Sequence, residues 1–359
     1  MSGSLLQLFP IEKRSFWEKV ASRESSIQEI RLRAGLPILV LHEGMESFLD
    51  ESGEFTDRFA LACRAGAQDL EEVLLHICRY SLYAFEDELK QGFITVDGGH
   101  RIGVAGQVVL EGTKSVRTIK HISCLNIRVS HQVRGAADKV LPFLYRKGEL
   151  LNTLVISPPG CGKTTLLRDL VRQVSDGSRW GEGKCVGVVD ERSEIAGCFQ
   201  GRPQNDVGMR TDVLDGCPKA LGMMILLRAM SPQVIAIDEL GGREDMEAVH
   251  MAASCGCRIL ATVHGDGLSD IRRKAGMEEL FREEIFSRFV ILKKKNGKCM
   301  IEAVYGKEGT YAADGGMCHG NAGLSGAGLM VQTAVSPETA SHKGAQSDTG
   351  NDDERGELQ

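Results

Sequence analysis

The feature that most constrains this chain is a glycine-rich loop set between an apolar run and a helical pattern, in LVISPPGCGKTTLLRDL at residues 154–170. A buried strand is predicted at 153–156 and a helix at 164–174. Glycines let successive backbone N–H groups curl around an anion, and the helix that follows points its positive end at the same spot. Such a segment binds phosphate. Its candidate residues are Ser157, Pro158, Pro159, Gly160, Cys161, Gly162, Lys163, Thr164 and Thr165. Lys163 is expected to reach the β- and γ-phosphates of ATP, and the Thr164 hydroxyl to ligate Mg²⁺. The pattern G-x-x-x-x-G-K-[ST] begins with glycine, whereas Ser157 stands there in this chain. A small residue still passes a tight strand-to-loop exit.

A nucleotide loop needs a carboxylate on a nearby strand. Residues 231–239, SPQVIAIDE, supply four apolar residues and then Asp238 and Glu239. That pattern puts Asp238 at the carboxyl end of a buried strand, where open α/β sheets bind ligands. Asp238 is the metal candidate, and Glu239 is placed to polarise water for in-line attack on the γ-phosphate. Two further strand ends carry chemistry. VGVV at 186–189 runs into Asp190, Glu191, Arg192, Ser193 and Glu194, and ILATV at 259–263 runs into His264. Thr262 and His264 suit sensing the γ-phosphate or holding the attacking water, and a strand-tip position in the same sheet draws the acidic cluster of Asp190 to Glu194 towards function as well. Residues 197–215 read as one long loop, a length that is usually functional or disordered. Its Arg202 and Arg210 are candidates to reach a neighbouring subunit's phosphate.

Strand and helix patterns alternate through residues 149–310, with helices at 218–230 and 244–253 and a closing hairpin about Asn296-Gly297. The fold class is α/β, a parallel sheet with helices on both faces. Residues 1–148 read as a smaller mixed α/β domain. Two strands are expected in 27–41 and one helix over 68–89, with Leu70, Val73, Leu74, Ile77 and Leu82 on one stripe. Short β runs follow in 91–112, and a further strand at 124–129. Residues 311–359, rich in Gly, Ala, Ser and acids, have too little apolar surface to fold and are expected to be disordered.

The net charge of −6 and 5% aromatic content provide no global basic footprint and few stacking platforms, so no nucleic-acid partner is expected. No apolar run approaches the roughly 18–20 residues that span a bilayer, and the first residues lack a secretory pattern, which points to the cytoplasm. The eleven cysteines include a C-x-C at Cys255 and Cys257 but no matching pair for zinc. Reduced, mostly buried thiols are the expectation.

The series GCGKTT, VVDERSEI, VIAIDEL and ILATVHG resembles the Walker A, Asp box, Walker B and His box of type II and type IV secretion ATPases, in that order. More closely, EIRLRAGLPI, YAFEDELKQGFITVDGGHRIGVAG, LNIRVSHQVRGAAD and GMRTDVLDGCPKALGMMILLRAMSPQVIAIDELGG resemble the stage III sporulation AA family, over residues 25–305. The resemblance implies a RecA-like ATPase core, a homohexameric ring with ATP sites between subunits, and ATP with Mg²⁺ as ligands. It also implies work at the channel between mother cell and forespore, docked from the cytosol on membrane-embedded components. Carried over, Lys163 and Thr164 fall on Walker A, Glu239 on the Walker B glutamate and His264 on the His box. Asp190 falls where secretion ATPases carry an Asp-box glutamate, and Glu194 on that box's second acid. Asp238 stands where they often have glycine, and the tetracysteine site of some relatives is missing. Arg101, Arg117, Arg128 and Arg134 are implied candidates for phosphate contacts across the ring. The reading is ATP hydrolysis coupled to movement of the N-terminal domain against the core. Two alternatives stand beside it: an ATP-dependent nucleic-acid-handling protein, and a nucleotide-gated scaffold with little turnover.

Overall fold

Two β-sheets organise the chain. The computed structural model describes residues 4–112, 115–274, 276–295, 298–306, 309–311 and 317–318. The expected disordered segment, 311–359, lies outside these residues apart from Tyr311, Met317 and Cys318. Among the described residues no helix is long and apolar enough to cross a membrane.

The first sheet follows α1, Arg14–Ala21, and comprises β1, Ile27–Arg33, β2, Leu39–His42, β3, Met45–Leu49, and β4, Phe55–Thr56. Two helices intervene, α2, Ala67–Ile77, and α3, Glu86–Lys90, before β5, Phe93–Thr95, β6, Arg101–Glu111, and β7, Ser115–Arg128. The order is β4-β3-β2-β1-β7-β6-β5, antiparallel at every pairing. Alternation drives it: Ile30 and Leu32 of β1, Ile102 of β6, and Leu125 and Ile127 of β7 are buried with Leu70, Val73, Leu74 and Ile77 of α2.

The single helix expected over 68–89 is broken. The chain reverses at Arg79 and Tyr80, both left-handed at φ 49° and 60°, and resumes as α3. A straight helix would carry its last turns about 1.5 Å per residue away from the sheet; the reversal instead buries Phe85 and Leu89 in the same cluster. Leu82, expected on the stripe, is 40% exposed. The strand expected at 124–129 is the end of a longer one. Beyond β1, which pairs β7 only from Cys124 onward, β6 and β7 continue as a two-stranded ribbon with Val108 and Leu110 exposed.

A short helix, α4, Leu141–Leu144, and a small hairpin of β8, Tyr145–Arg146, and β9, Glu149–Leu150, lead to the second sheet. It contains β10, Thr153–Ser157, β11, Val186–Asp190, β12, Thr211–Asp215, β13, Val234–Ile237, β14, Arg258–His264, β15, Arg288–Lys295, β16, Lys298–Gly306, β17, Gly309–Tyr311, and β18, Met317–Cys318. The helices between them are α5, Lys163–Asp176, α6, Lys219–Ala229, α7, Arg243–Ser254, α8, Leu268–Ile271, and α9, Met277–Arg282. The order is β12-β11-β13-β14-β10-β15-β16-β17-β18. The first six strands are parallel, and the strands beyond β15 add antiparallel.

Successive residues of the parallel strands enter opposite cores. Val155, Val188, Val234 and Leu260 pack with Leu167, Leu170 and Val174 of α5. Ile156, Val189, Ile235 and Ala261 pack with Met223 of α6, Val249 of α7 and Leu280 of α9. A strand buried on both faces reads as an unbroken apolar run, as these do. The loop expected over 197–215 does not run its full length, because its last five residues form β12 at the sheet edge. They pair from Val186↔Thr211 to Asp190↔Asp215, and their half-exposed sequence, TDVLD, lacks the apolar run that marked the inner strands.

Glu88 of α3 stands near Asp215 of β12. Burial, then Asp215 and Asp87, push its carboxyl up to about 7, and its Oε2 is buried without a hydrogen-bond partner. The folded chain therefore holds this proton more tightly than the unfolded chain, whose value is 4.5. Stability is whole below the unfolded value and is lost as pH rises through about 7. Glu88→Gln is expected to raise the urea midpoint over the parent at pH 8, with the gain shrinking at pH 5. Equal gains at the two pH values would contradict the assignment.

Candidate nucleotide site

Parallel registry brings the sequence-predicted residues to one edge. Ser157 of β10 lies level with His264 of β14, Val155 with Thr262, and Ile237 of β13 with Ala261. Because β14 sits between β10 and β13, the loop after β10, His264, and the pair Asp238 and Glu239 after β13 share the carboxyl edge, where such sheets bind ligands.

Ser157 is fully buried at the exit of β10, and its hydroxyl bonds to the Pro158 carbonyl at 3.0 Å. Gly160 and Gly162 take φ +68° and +75°, a conformation that side-chain-bearing residues rarely adopt, and nothing stands within 4 Å of the Cβ position on Gly160. Gly162 caps α5 with no side-chain hydrogen bond, so the first-turn N–H groups face the cradle. The Thr164 hydroxyl donates to Asp238 Oδ2 at 2.5 Å. Thr262 donates its hydroxyl to Asp238 Oδ1 and accepts the Glu239 N–H at 2.9 Å. The cradle, hydroxyl and carboxylate fit a Mg²⁺–nucleotide. Among the described residues no group of three or more His, Cys, Asp or Glu is placed to hold a metal. A cation held by Thr164 and Asp238 would complete its oxygens from phosphate and water, as Mg²⁺ does.

Lys163, 7% exposed, donates to Glu239 Oε1 at 2.6 Å. His264 Nε2 stands 2.9 Å from the same oxygen, and Arg192 Nη1 2.7 Å from Glu239 Oε2. Burial opposes ionisation of Glu239, but the hydrogen bond and charge of Lys163, then those of His264, outweigh it and hold the carboxyl below its ordinary value. Glu239 is left-handed at φ 56°, a strained conformation that clusters at functional sites. His264 Nδ1 is buried without a partner.

Asp190 is 2% exposed and is occupied by its own loop. Oδ1 accepts the N–H groups of Glu194 at 2.8 Å and Ile195 at 3.2 Å, and Oδ2 that of Ala196 at 2.8 Å. Burial still pushes its carboxyl up. Glu194 turns to the first sheet, where Arg101 of β6 meets it at 2.8 Å.

Arg202 sits in a turn with Phe199. Arg210 bonds the far end of α5, donating to the Ser175 carbonyl at 2.9 Å, and does not face this chain's own phosphate loop. Arg128 pairs with Glu29 and Arg134 with Asp206, while Arg117 is exposed on the ribbon. Cys257 is buried and donates to the Pro232 carbonyl, whereas Cys255 is exposed.

Two residues were missed. Arg192 was legible only as one charge in an acidic cluster. Arg168, 8% exposed on α5, donates to the carbonyls of Ile195 and Glu194 at 2.6 Å each and of His131 at 3.3 Å. In the helical pattern it is one polar position among several, and nothing local marks it as buried.

The architecture is that of the RecA-like P-loop fold. The chain is similar to the Legionella pneumophila ATPase DotB (TM-score 0.53, 16% identity, 83% of this chain and 81% of that one) and to the pilus retraction motor PilT with bound ADP (TM-score 0.51, 16% identity, 80% and 81%). At these identities the likeness is one of fold. Residues 3–312 match the family "Sporulation stage III, protein AA", and the chain belongs to it. It is 40% identical over 283 residues to Stage III sporulation protein AA of Bacillus subtilis (strain 168), covering 79% of this chain and 88% of that one. It is 30% identical over 159 residues to Protein SEEDLING PLASTID DEVELOPMENT 1 of Arabidopsis thaliana, covering 44% and 22%.

Asp190→Ala strands buried N–H groups and is expected to cost about 1–3 kcal/mol, read as a lower urea midpoint. An unchanged midpoint would show that these hydrogen bonds do not hold the loop.

Proposed function

We propose that this chain hydrolyses ATP with Mg²⁺ as the motor subunit of a secretion-type apparatus, energising the channel between mother cell and forespore during endospore formation. The observation that carries it is the part-buried ion pair between Lys163 and Glu239 beside a glycine cradle that no side chain caps.

The loop from Ser157 to Thr165 binds the phosphates through its backbone N–H groups, with Lys163 on the terminal ones. Thr164 and Asp238 would hold Mg²⁺, which supplies charge neutralisation on the phosphates. An arriving phosphate competes with Glu239 for Lys163, so nucleotide binding weakens the hold of the cation that most depresses Glu239's basicity. Glu239 then takes the proton of the attacking water, positioned by Arg192 and His264. Asp190 acts through the loop it holds, and Glu194 through Arg101.

Coupling to motion has a route. Arg168 lies on the helix that begins at the phosphate loop and grips the loop whose Glu194 pairs with the first sheet. Family membership supports a role in sporulation, and the secretion-ATPase fold supports a homo-oligomeric ring, proposed as a hexamer, docked from the cytoplasm on membrane-embedded components. Arg210 remains the candidate for a neighbouring subunit's nucleotide, on release from Ser175.

Lys163→Ala is expected to abolish ATP turnover, and ATPase assays at the parent rate would overturn the phosphate-loop assignment. Glu239→Gln is expected to keep ATP binding while lowering turnover about 10²–10⁴-fold. Parent-like low turnover in both forms, with ATP still bound, would favour a nucleotide-gated scaffold.

A further inference from the structure

The phosphate loop carries a thiol that the proposed reaction does not use. Cys161 lies between Gly160 and Gly162, 2% exposed, with its side chain turned into the core below α5. Against the loop's outer side stands Cys299 of β16, which is exposed. Its Sγ donates to the Gly160 carbonyl at 3.5 Å, and its Cβ lies 3.8 Å from the Cβ position on Gly162. The two thiols are neighbours, and that of Cys299 helps push that of Cys161 up. Both are free thiols.

We propose that Cys161 and Cys299 form a redox modification site, at which a low-molecular-weight disulfide reversibly cross-links the phosphate loop to β16 and shuts off nucleotide binding. The shut-off rests on the nucleotide reading above; the cross-link does not.

The exposed Cys299 meets the oxidant first. Its thiolate attacks RS–SR, forming a mixed disulfide and expelling one RS⁻, which takes up a proton. Cys161 then attacks Cys299 Sγ, expelling the second RS⁻ and closing the protein disulfide. Two thiols lose two electrons and two protons, and one RSSR becomes two RSH. Burial, then the neighbouring Cys299 thiol, pushes the Cys161 thiol up, while the nearby Lys294 ammonium opposes this. Adjacency in the mixed disulfide offsets the low thiolate fraction, because the second step is intramolecular.

A disulfide needs its sulfurs at about 2.05 Å, well inside hydrogen-bonding range. The strand β16 is fixed by its ladder to β15, where Cys299 pairs with Lys294. The loop is the side that gives, since Cys161 is flanked by two left-handed glycines. Pulling it outward turns its N–H groups off the phosphate position. A reducing compartment keeps the thiols apart and the loop open.

The test uses the full chain, reduced and then treated with oxidised glutathione. Alkylation and peptide mass mapping find the cross-link, and calorimetry with Mg-ATP measures binding. The expected result is a disulfide joining Cys161 to Cys299, a loss of affinity of about tenfold or more, and full recovery with dithiothreitol. Cys299→Ser should bind ATP like the parent and keep its affinity under oxidant. The proposal is overturned if no such cross-link forms, if the cross-linked chain binds ATP as before, or if Cys299→Ser loses affinity equally. Failure of the reduced chain to bind ATP overturns the nucleotide reading and the shut-off with it, while mapping still decides whether the pair forms.

Discussion

A lysine ammonium held at 7% exposure must be neutralised, and Glu239 neutralises Lys163 here. Removing a charge from water costs several kcal/mol unless a partner and further hydrogen bonds compensate. Glu239 takes that role from a strained left-handed backbone, with Thr262 holding its N–H and His264 and Arg192 filling its remaining acceptor sites. The cluster is self-contained without a ligand. An arriving phosphate competes with Glu239 for Lys163, so binding and release of the proposed base become one exchange.

That exchange sits next to the loop spanning 190–206, which three groups share. Asp190 shapes it from β11, Arg168 clamps its carbonyls from α5, and Arg101 takes Glu194 from the first sheet. Further bonds tie its end to the first sheet and to the segment after it: Gln204 accepts the Gly98 N–H, and Asp206 pairs with Arg134. A shift of α5 on phosphate binding would therefore move a segment that the first sheet also grips. The coupling is through connected hydrogen bonds, not distance alone.

The parts of this arrangement that were legible in the sequence are those written in local pattern. Strands buried on both faces appear as apolar runs, and the residue at each carboxyl end is then a site candidate, which is how Asp190, Asp238, Glu239 and His264 came to notice. The edge strand β12 and the ribbon of β6 and β7 were missed or shortened because a half-exposed strand has no such run. The reversal at Arg79 and Tyr80 was invisible because apolar spacing carries no record of a left-handed pair. Burial of Arg168 depends on three carbonyls from 26 to 37 positions away, which no local window contains. Asp190 was read as an assisting acid at a strand tip, with the acid that orients water left open. Its partners turned out to be backbone donors of the following turn.

Charge accounting then bears on the proposed assembly. The chain's −6 says nothing of this edge, where cations crowd in. Lys163 and Arg192 are spent on Glu239, Arg101 on Glu194, and Arg168 on carbonyl groups. A triphosphate brings several negative charges, and Lys163, inside the phosphate loop, is the cation proposed to transfer to it. Mg²⁺ between Thr164 and Asp238 would offset part of the rest. In the proposed ring, one subunit's arginines would add to the cations at the next subunit's site. The pairing within one chain is thus compatible with the proposed ring.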